Sequence, residues 1–215
     1  MSILPVIAID GPAASGKGTL ARRIAATMGF AHLDTGTLYR VVGLAVLKAG
    51  RDPNNAYAAT AAVKALDLSL LEDRALRSAE TGVAASQVGA NPAVREALLE
   101  FQRNFAAHPP GGQGAVLDGR DIGTVICPSA TVKLFVTATP EIRARRRYME
   151  LFSQGSARTE AEVLADILSR DHRDMSRPVA PLAQASDAHL LDTTQLDIEA
   201  AVALALEIVR AALRT

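Results

Sequence analysis

The feature that most constrains the fold lies near the start of the chain, where an apolar run meets a glycine-rich loop and then a helical segment. The run "LPVIAI" (4–9) ends in Asp-Gly-Pro, which is typical of a buried strand entering a loop. The loop "GPAASGKGT" (11–19) follows, and helical residues continue from Lys17 to about Met28, where Gly29 ends the pattern. A buried strand that turns sharply into a helix predicts an α/β fold.

The loop matches the phosphate-binding pattern G-x-x-x-x-G-K-[ST] at Gly11, Gly16 and Lys17 but departs from it at Gly18, and the hydroxyl of Thr19 comes one position late. In such a loop several backbone N–H groups and the positive end of a helix point at one place, which attracts phosphate. A flexible strand–helix turn without a ligand is the alternative. The presence of both the strand and the helix favours phosphate binding.

Further strands and helices alternate along the chain. The other strand candidates are 114–118, 132–136 and 188–192, and helical segments are predicted at 37–49, 92–107, 140–153, 159–173 and at the C-terminus. Alternating strands and helices predict a parallel sheet with helices on both faces. The segment 64–84 has the least pattern, and we expect an excursion from the core there.

Composition excludes several classes of protein. The chain has 215 residues, which suits one α/β domain, and its 23 basic and 23 acidic residues balance to a net charge of +0. No overall positive field would attract it to nucleic acid or an anionic membrane. The single cysteine, Cys127, excludes an intramolecular disulfide and fits a reducing compartment. Because no signal peptide or long apolar segment is recognisable, we expect a cytoplasmic protein.

Arginines outnumber lysines by 19 to 4 and bunch at 143–147 and 170–177. Arg170, Asp174 and Arg177 are spaced four and three apart, so a helix would place them on one face. A solvated, salt-bridged helix end is the alternative for such a run. One guanidinium group can donate two parallel hydrogen bonds to a phosphate group. Because this run occurs in a chain with a predicted phosphate loop, a phosphate-binding role is favoured.

Two further stretches, "HLDTGTLYR" (32–40) and "LDGRDIGT" (117–124), each follow an apolar strand. Their loops should therefore open at the carboxyl edge of the parallel sheet, where such folds bind ligands. Asp118, Arg120 and Asp121 would face that edge, together with Thr35 and Arg40.

These stretches, with "AASQV", "NPAVREALL" and "RDHRDMSRPVAPL", resemble the bacterial cytidylate kinases of the nucleoside monophosphate kinase family. The resemblance extends from residue 11 to 182, and "DGRDIGT" with "RPVAPL" is more specific than a phosphate loop. Kinases of this family carry G-K-G-T, with magnesium held largely by the nucleotide and water, which accounts for Gly18. The implied fold is an α/β P-loop kinase with a five-stranded parallel sheet flanked by helices, an NMP-binding flap and a short lid. It would form a single domain over 1–215, with the NMP-binding excursion at about 37–108 and the lid at about 145–160.

The resemblance also implies a role for each matching residue. Gly11, Pro12, Ala13, Ala14, Ser15, Gly16, Lys17, Gly18 and Thr19 would bind ATP. The substrate would be bound by Thr35, Tyr39, Arg40, Ser86, Arg95, Arg120, Asp121, Arg170, Asp174 and Arg177. Of these, Ser86, Arg95 and Asp121 correspond to residues that read the cytosine edge. The catalytic residues would be Lys17, Arg120, Arg146 and Arg177.

The activity implied by the resemblance is transfer of the γ-phosphoryl group of ATP to CMP or dCMP, with Mg²⁺ bound with the ATP. No metal ligand is assigned to the protein, and we expect a monomer with no nucleic-acid or membrane partner. The arginines of "RARRRYMELFSQGSARTEAE" would reach the phosphates when the lid closes. Arg143 is the exception, because we expect it on a solvated helix face.

The chain departs from the family in one segment, which leaves pentose preference and flap mobility open, and two alternative functions stand beside the kinase. The common bacterial form of the family has a longer insert with an antiparallel hairpin before "AASQV", which must be shortened or lost here. Another P-loop small-molecule kinase, of the thymidylate, adenylate or shikimate type, is the alternative enzyme. A nucleotide-binding switch or an RNA-binding module is the alternative from a different class, but the chain lacks N-K-x-D and has few aromatic residues for base stacking.

Overall fold

The computed structural model describes residues 4–214, apart from the side chain of Leu68. This part of the chain contains five strands: β1 (Val6–Asp10), β2 (Ala31–Asp34), β3 (Ala115–Gly119), β4 (Val132–Thr137) and β5 (His189–Asp192). They form one sheet in the order β2-β3-β1-β4-β5, in which β1 pairs in parallel with β3 and β4, and β4 with β5. The predicted five-stranded parallel sheet is confirmed. Strand β2 was not delimited from the sequence, because it has four residues and none of them is fully buried.

Eight α-helices accompany the sheet in the described residues. They are α1 (Lys17–Met28), α2 (Thr35–Lys48), α3 (Ala56–Ala65), α4 (Ala79–Val88), α5 (Pro92–Ala107), α6 (Pro140–Ser153), α7 (Glu160–Ser176) and α8 (Ile198–Ala212). Helix α1 has the bounds that the sequence predicted, and Gly29 ends it in the left-handed conformation, with φ 68°. Helices α3 and α4 were not predicted as elements, since their small residues leave little hydrophobic periodicity.

The chain divides into two compact units. The first consists of the residues up to Leu33 together with those from Ala106 onward, and the second is Asp34–Phe105. In the first unit, β1 and β4 pack against α1 and α8 through fully or almost fully buried aliphatic side chains: Ile7, Ile9, Leu20, Ile24, Leu134, Val202 and Val209. Each such side chain contributes about 1.5–3 kcal/mol to stability relative to exposure.

The second unit is helical between Thr35 and Phe105, and no strand is assigned in that range. Its core comprises Leu38, Val42, Val46, Val63, Val88, Val94 and Leu98. Gly43 permits close packing of α2 on α4, since a Cβ there would lie 2.9 Å from the Ala85 nitrogen. The weakly patterned segment forms two short 3-10 helices, Leu68–Glu72 and Arg74–Arg77. The hairpin of the longer family form is therefore lost, and short helical turns take its place.

Candidate active site

The glycine-rich loop joins β1 to α1 and depends on glycine at two positions. Gly11 has φ +152°, and a Cβ on it would lie 2.0 Å from the Val136 carbonyl oxygen. Gly16, which precedes α1, has φ +90°, a conformation that side-chain-bearing residues rarely adopt. The loop therefore approaches β4 closely and leads directly into the helix N-terminus, the arrangement that binds phosphate.

Inside the loop, the Lys17 ammonium donates a hydrogen bond to the Pro12 carbonyl oxygen at 3.3 Å. The Ser15 hydroxyl is fully buried and has no hydrogen-bond partner among the residues that the structure describes. Two side chains from outside the loop contact its backbone carbonyl oxygens. The Thr193 hydroxyl lies 3.2 Å from the Ser15 carbonyl oxygen, and Arg143 Nη1 donates a hydrogen bond to the Ala13 carbonyl oxygen at 3.2 Å. These contacts give the loop backbone two hydrogen bonds from side chains outside the loop.

Arg143 does not lie on a solvated face, so that prediction is wrong. Its side chain is buried, with 4% of the residue exposed, and it donates to both carboxylate oxygens of Asp171 at 3.1 and 2.6 Å. Its Nε also donates to the Ala138 carbonyl oxygen at 2.8 Å. The spacing of charges cannot distinguish a solvated arginine from a buried one, because the buried state depends on an acidic partner 28 residues away.

The other arginines of α6 have different surroundings. Arg146 donates to the hydroxyl of Thr193 at 2.9 Å and to its carbonyl oxygen at 2.7 Å, so its guanidinium lies at the β5–α8 loop. Burial lowers the pKa of Arg146, but a guanidinium stays protonated in proteins. Arg145 is exposed, and Arg147 pairs with Glu150 at 2.7 Å. That Arg145, Arg146 and Arg147 reach the phosphates when the lid closes stays a prediction.

A buried carboxylate organises three of the predicted phosphate-binding arginines. Asp174 on α7 is 3% exposed, and its Oδ2 accepts a hydrogen bond from Arg120 Nε at 2.9 Å and lies 3.8 Å from Arg170 Nε. Burial by itself would raise the pKa of Asp174. Three positive charges outweigh that effect and lower the pKa to about 2: those of Arg120, Arg170 and Arg177. The carboxylate is therefore ionised, and it holds several cations at one place.

Arg177 lies at the end of α7, as the following Pro178 predicted. The helix ends at Ser176, and Arg177 has extended backbone angles, φ −58° and ψ 134°. Its side chain is buried, with 8% of the residue exposed. The "RPVAPL" segment folds back onto the last helical turn, because the Leu182 N–H donates to the Asp174 carbonyl oxygen at 2.8 Å. The backbone thus positions Arg177 beside the acidic centre of the cluster.

Asp10, at the end of β1, is a structural residue of the site that the motifs did not indicate. Its two carboxylate oxygens accept hydrogen bonds from the backbone N–H groups of Ile122 and Gly123, each at 2.7 Å. Burial raises the pKa of Asp10 to about 6, although the two hydrogen bonds and the charge of Lys17 act in the opposite direction. The start of the phosphate loop is thereby joined to the turn that follows "DGRD".

Asp118, at the carboxyl end of β3, was expected at the binding edge but had no assigned role. Its Oδ1 lies 2.8 Å from His32 Nε2 on β2. Its Oδ2 lies 3.7 Å from the position that a Cβ on Gly18 would occupy. A carboxylate therefore stands beside the first turn of α1, where the usual loop would carry a hydroxyl. Asp121, three residues on, is also buried.

In the second unit, Asp34 caps α2 by accepting a hydrogen bond from the Thr37 N–H at 3.3 Å, and Thr35 is the buried first residue of the helix. The guanidinium of Arg40, one turn further along, donates to the carbonyl oxygens of Leu76 at 2.8 Å and Ser78 at 3.3 Å. Those contacts orient Arg40 within the unit.

Arg95 and Tyr39 lie together in the same unit. The Arg95 guanidinium carbon is 5.7 Å from the centre of the Tyr39 ring, which is within range of a cation–π contact. Arg95 Nη1 also donates to the Gly89 carbonyl oxygen at 3.3 Å. Ser86 is buried on α4. Arg95 is thus held by an aromatic face and a backbone acceptor.

Comparison with known sequences identifies the family. The sequence model of the cytidylate kinase family matches residues 7–211. The chain belongs to the cytidylate kinase family. A protein named cytidylate kinase from Rhodospirillum rubrum is 60% identical over 94% of this chain and 96% of its own length. Another with that name, from Rhodopseudomonas palustris strain TIE-1, is 58% identical over 96% of each chain. Membership makes this protein a phosphotransferase.

Comparison of structures adds only the fold. The crystal structure of an uncharacterized protein from Eubacterium ventriosum matches with a TM-score of 0.57 and 12% identity, over 96% of this chain and 99% of that one. Within residues 4–214, no helix is long and apolar enough to cross a membrane. The same residues contain no group of three or more His, Cys, Asp or Glu side chains that could hold a metal ion.

Proposed function

We propose that this member of the cytidylate kinase family transfers the γ-phosphoryl group of ATP to CMP or dCMP, giving ADP and CDP or dCDP. The observation that carries the proposal is the buried arginine cluster around Asp174, which lies in the same compact unit as the phosphate loop. Phosphoryl transfer between two nucleotides needs both sites. The phosphate loop binds the donor phosphates, and the arginine cluster supplies cations for the transferring group or the acceptor phosphate.

On the donor side, residues 11–19 bind the phosphates of ATP. The backbone N–H groups at the start of α1 supply hydrogen-bond donors, and Lys17 supplies a mobile cation. The contact of Lys17 with the Pro12 carbonyl oxygen is exchanged for a phosphate oxygen when ATP binds. This exchange favours the charged ligand, because an ammonium–phosphate contact is stronger than one to a neutral carbonyl.

On the acceptor side, CMP is bound by the residues to which the family resemblance assigns that role. Arg120, Arg170 and Arg177 bind phosphate or the neighbouring sugar hydroxyls, and Asp174 keeps their guanidiniums oriented. Thr35, Tyr39 and Arg40 contribute to acceptor binding, while Ser86, Arg95 and Asp121 recognise the cytosine ring. Buried polar side chains of this kind discriminate strongly, since a wrong base leaves them without partners.

The donor residues fit a magnesium ion that ATP brings with it. Mg²⁺ prefers oxygen ligands and keeps several waters, so one carboxylate near the phosphate loop suffices to support it. Asp118 is such a carboxylate, because its Oδ2 lies 3.7 Å from the position of a Cβ on Gly18. When bound, the ion neutralises charge on the donor phosphates.

The chemistry needs no general base. The second pKa of a phosphate monoester is about 6, so the acceptor already carries an anionic oxygen at neutral pH. That oxygen bonds to the γ-phosphorus while the bond from phosphorus to the β–γ bridging oxygen breaks, and ADP leaves with the electron pair. Lys17, Arg120, Arg146 and Arg177 stabilise the charge on the transferring group, and closure of the lid at 145–160 excludes water.

An acceptor panel tests the proposal. Initial rates of ADP formation would be measured with ATP and CMP, dCMP, UMP, AMP or dTMP. CMP and dCMP should have the highest kcat/KM, and Lys17→Met, as the matched control against contaminating kinases, should lose turnover far more than CMP binding. A higher kcat/KM for AMP or dTMP would contradict the cytidylate assignment.

We further propose that the protein works as a cytoplasmic monomer, with ATP and CMP or dCMP as its partners and without nucleic acid or membrane. The balanced charge of the chain supports the part of this proposal that concerns nucleic acid and membrane, since no overall positive field attracts either. Light scattering coupled to gel filtration tests the monomer, for which a mass near 22.6 kDa is expected.

A further inference from the structure

The contact between His32 and Asp118 has no part in the function described so far. The two side chains come from strands β2 and β3, which are neighbours in the sheet, and both are largely buried, with 18% and 4% of the side chain exposed. His32 Nε2 lies 2.8 Å from Asp118 Oδ1. Since an ionised carboxylate can only accept, Nε2 is the donor in this hydrogen bond.

The other oxygen of Asp118 faces the phosphate loop. A Cβ on Gly18 would have two neighbouring atoms within 4 Å, Asp118 Oδ2 at 3.7 Å and Arg22 Nη1 at 3.8 Å. Gly18 is the position at which the common phosphate loop carries the hydroxyl that binds Mg²⁺. The carboxylate thus lies beside the place of the missing hydroxyl, on the first turn of α1.

We propose that His32 is a positioning residue, which orients Asp118 toward the hydrated Mg²⁺ of bound ATP. The inference rests on the proposed function. A carboxylate at a strand end can rotate about two bonds, and a hydrogen bond to Oδ1 restricts both, so that Oδ2 remains at the loop. Groups that orient a metal-supporting residue in this way commonly change metal affinity or activity by 10–100-fold when they are removed.

A purely structural role for His32 is the competing explanation, and magnesium-dependent ATP binding distinguishes the two. The dissociation constant of ATP would be measured by calorimetry without any acceptor, once with Mg²⁺ and once with EDTA. The ratio of the two constants is the magnesium enhancement. His32→Leu removes the hydrogen-bond donor and keeps a similar side-chain volume. His32→Asn keeps an N–H donor, but its shorter side chain does not reach Asp118 Oδ1. His32→Gln is longer and places an N–H close to the position of Nε2 in the wild type. His189→Leu, at an exposed histidine on β5, is the matched control.

We expect His32→Leu and His32→Asn each to reduce the magnesium enhancement by about 10-fold or more, with ATP affinity in EDTA unchanged. His32→Gln and His189→Leu should remain close to the wild type. The proposal is overturned if His32→Leu keeps the full enhancement, if His32→Gln loses as much as His32→Leu, or if affinity falls equally with and without Mg²⁺. The Asn variant keeps the test decisive should the Leu variant fail to fold.

Asp118→Asn separates this inference from the proposed function. It should lose the enhancement as His32→Leu does. If Asp118→Asn retains the enhancement, the carboxylate does not support the metal and the role of His32 is overturned as well. A wild-type protein that binds ATP with normal magnesium dependence but does not phosphorylate CMP would contradict the proposed function alone.

Discussion

At the scale of single residues, the arginine cluster depends on the shape of the guanidinium as well as on its charge. Arg177 is buried at the end of α7 beside Asp174, whose carboxylate draws three guanidiniums together. A lysine would keep the charge but present one compact ammonium instead of a planar fork of donors. The cluster should therefore be sensitive even to a conservative substitution.

We expect Arg177→Lys to lower kcat by about 10³-fold, because charge stabilisation by a well-placed arginine accounts for that much in phosphoryl transfer. The thermal midpoint should change little. Steady-state kinetics with CMP and a melting curve are the measurements, and Arg145→Lys, at an exposed arginine on α6, is the control. Wild-type turnover in Arg177→Ala would place this side chain outside the site.

Asp174 also links the cluster to pH. A carboxyl whose pKa is lower in the folded than in the unfolded chain stabilises the fold above its unfolded pKa, and this contribution disappears as the pH falls through the folded pKa. For Asp174 the two values are 3.8 and about 2, so the loss lies between about pH 4 and pH 2. The difference amounts to about 2 kcal/mol.

The unfolding free energies of the wild type and Asp174→Asn, measured in urea at several pH values, test this linkage. The wild type should be the more stable of the two by a constant amount from pH 7 to about pH 5, and the difference should shrink as the pH falls below about 4. A difference that does not depend on pH over that range would mean that the carboxylate's charge does not stabilise the cluster.

At the scale of elements, Arg143 connects three parts of the first unit. It bonds to Ala138, which directly follows β4, to Ala13 in the phosphate loop and to Asp171 on α7. Helix α7 also carries Arg170 and Asp174. The Arg143–Asp171 ion pair therefore joins the phosphate loop to the helix that carries the arginine cluster. Removing one member of a buried ion pair leaves an uncompensated charge, which is more damaging than removing both.

Arg143→Met should therefore lower the free energy of unfolding by about 3–5 kcal/mol, while the double variant Arg143→Met/Asp171→Leu should recover a large part of the loss. Arg145→Met, two residues along the same helix and exposed, should have almost no effect. Urea unfolding measures all three. Equal losses in the single and double variants would show that the buried charge on Asp171 is not the cause.

At the scale of the whole molecule, charge separates the kinase from the alternative of an RNA-binding module. The chain has net charge +0 and only three Tyr, five Phe and no Trp. Nonspecific nucleic-acid binding depends on counterion release from phosphates and on base stacking, and neither has a basis in this composition. Arg95, Arg143 and Arg177 are buried, and the exposed arginines are balanced by acidic residues in the chain as a whole.

A gel shift with single-stranded RNA at physiological salt should accordingly show no complex at micromolar protein. Lys17→Met serves as the control, because a shift that vanished in this variant would indicate RNA bound by the nucleotide loop. A shift that persists in both proteins and weakens steeply with salt would support the RNA-binding alternative.

The amino-acid sequence by itself determined the elements that depend on local chemistry. The bounds of α1 follow from a glycine at each end, and the end of α7 follows from Pro178, since these residues restrict the backbone wherever they occur. Alternating strands and helices likewise predicted the parallel sheet. The motifs from "GPAASGKGT" to "RPVAPL" were sufficient to indicate the family.

Only the tertiary structure decided how the charged side chains pair. The burial of Arg143 depends on Asp171, and the orientation of Asp118 depends on His32, a residue 86 positions away in the chain. Helices α3 and α4 of the second unit escaped prediction for a related reason, since small residues gain their stability from packing that no periodicity records. Charge pairing and close packing act over short distances in space between residues far apart in sequence, so they are decided when the chain folds.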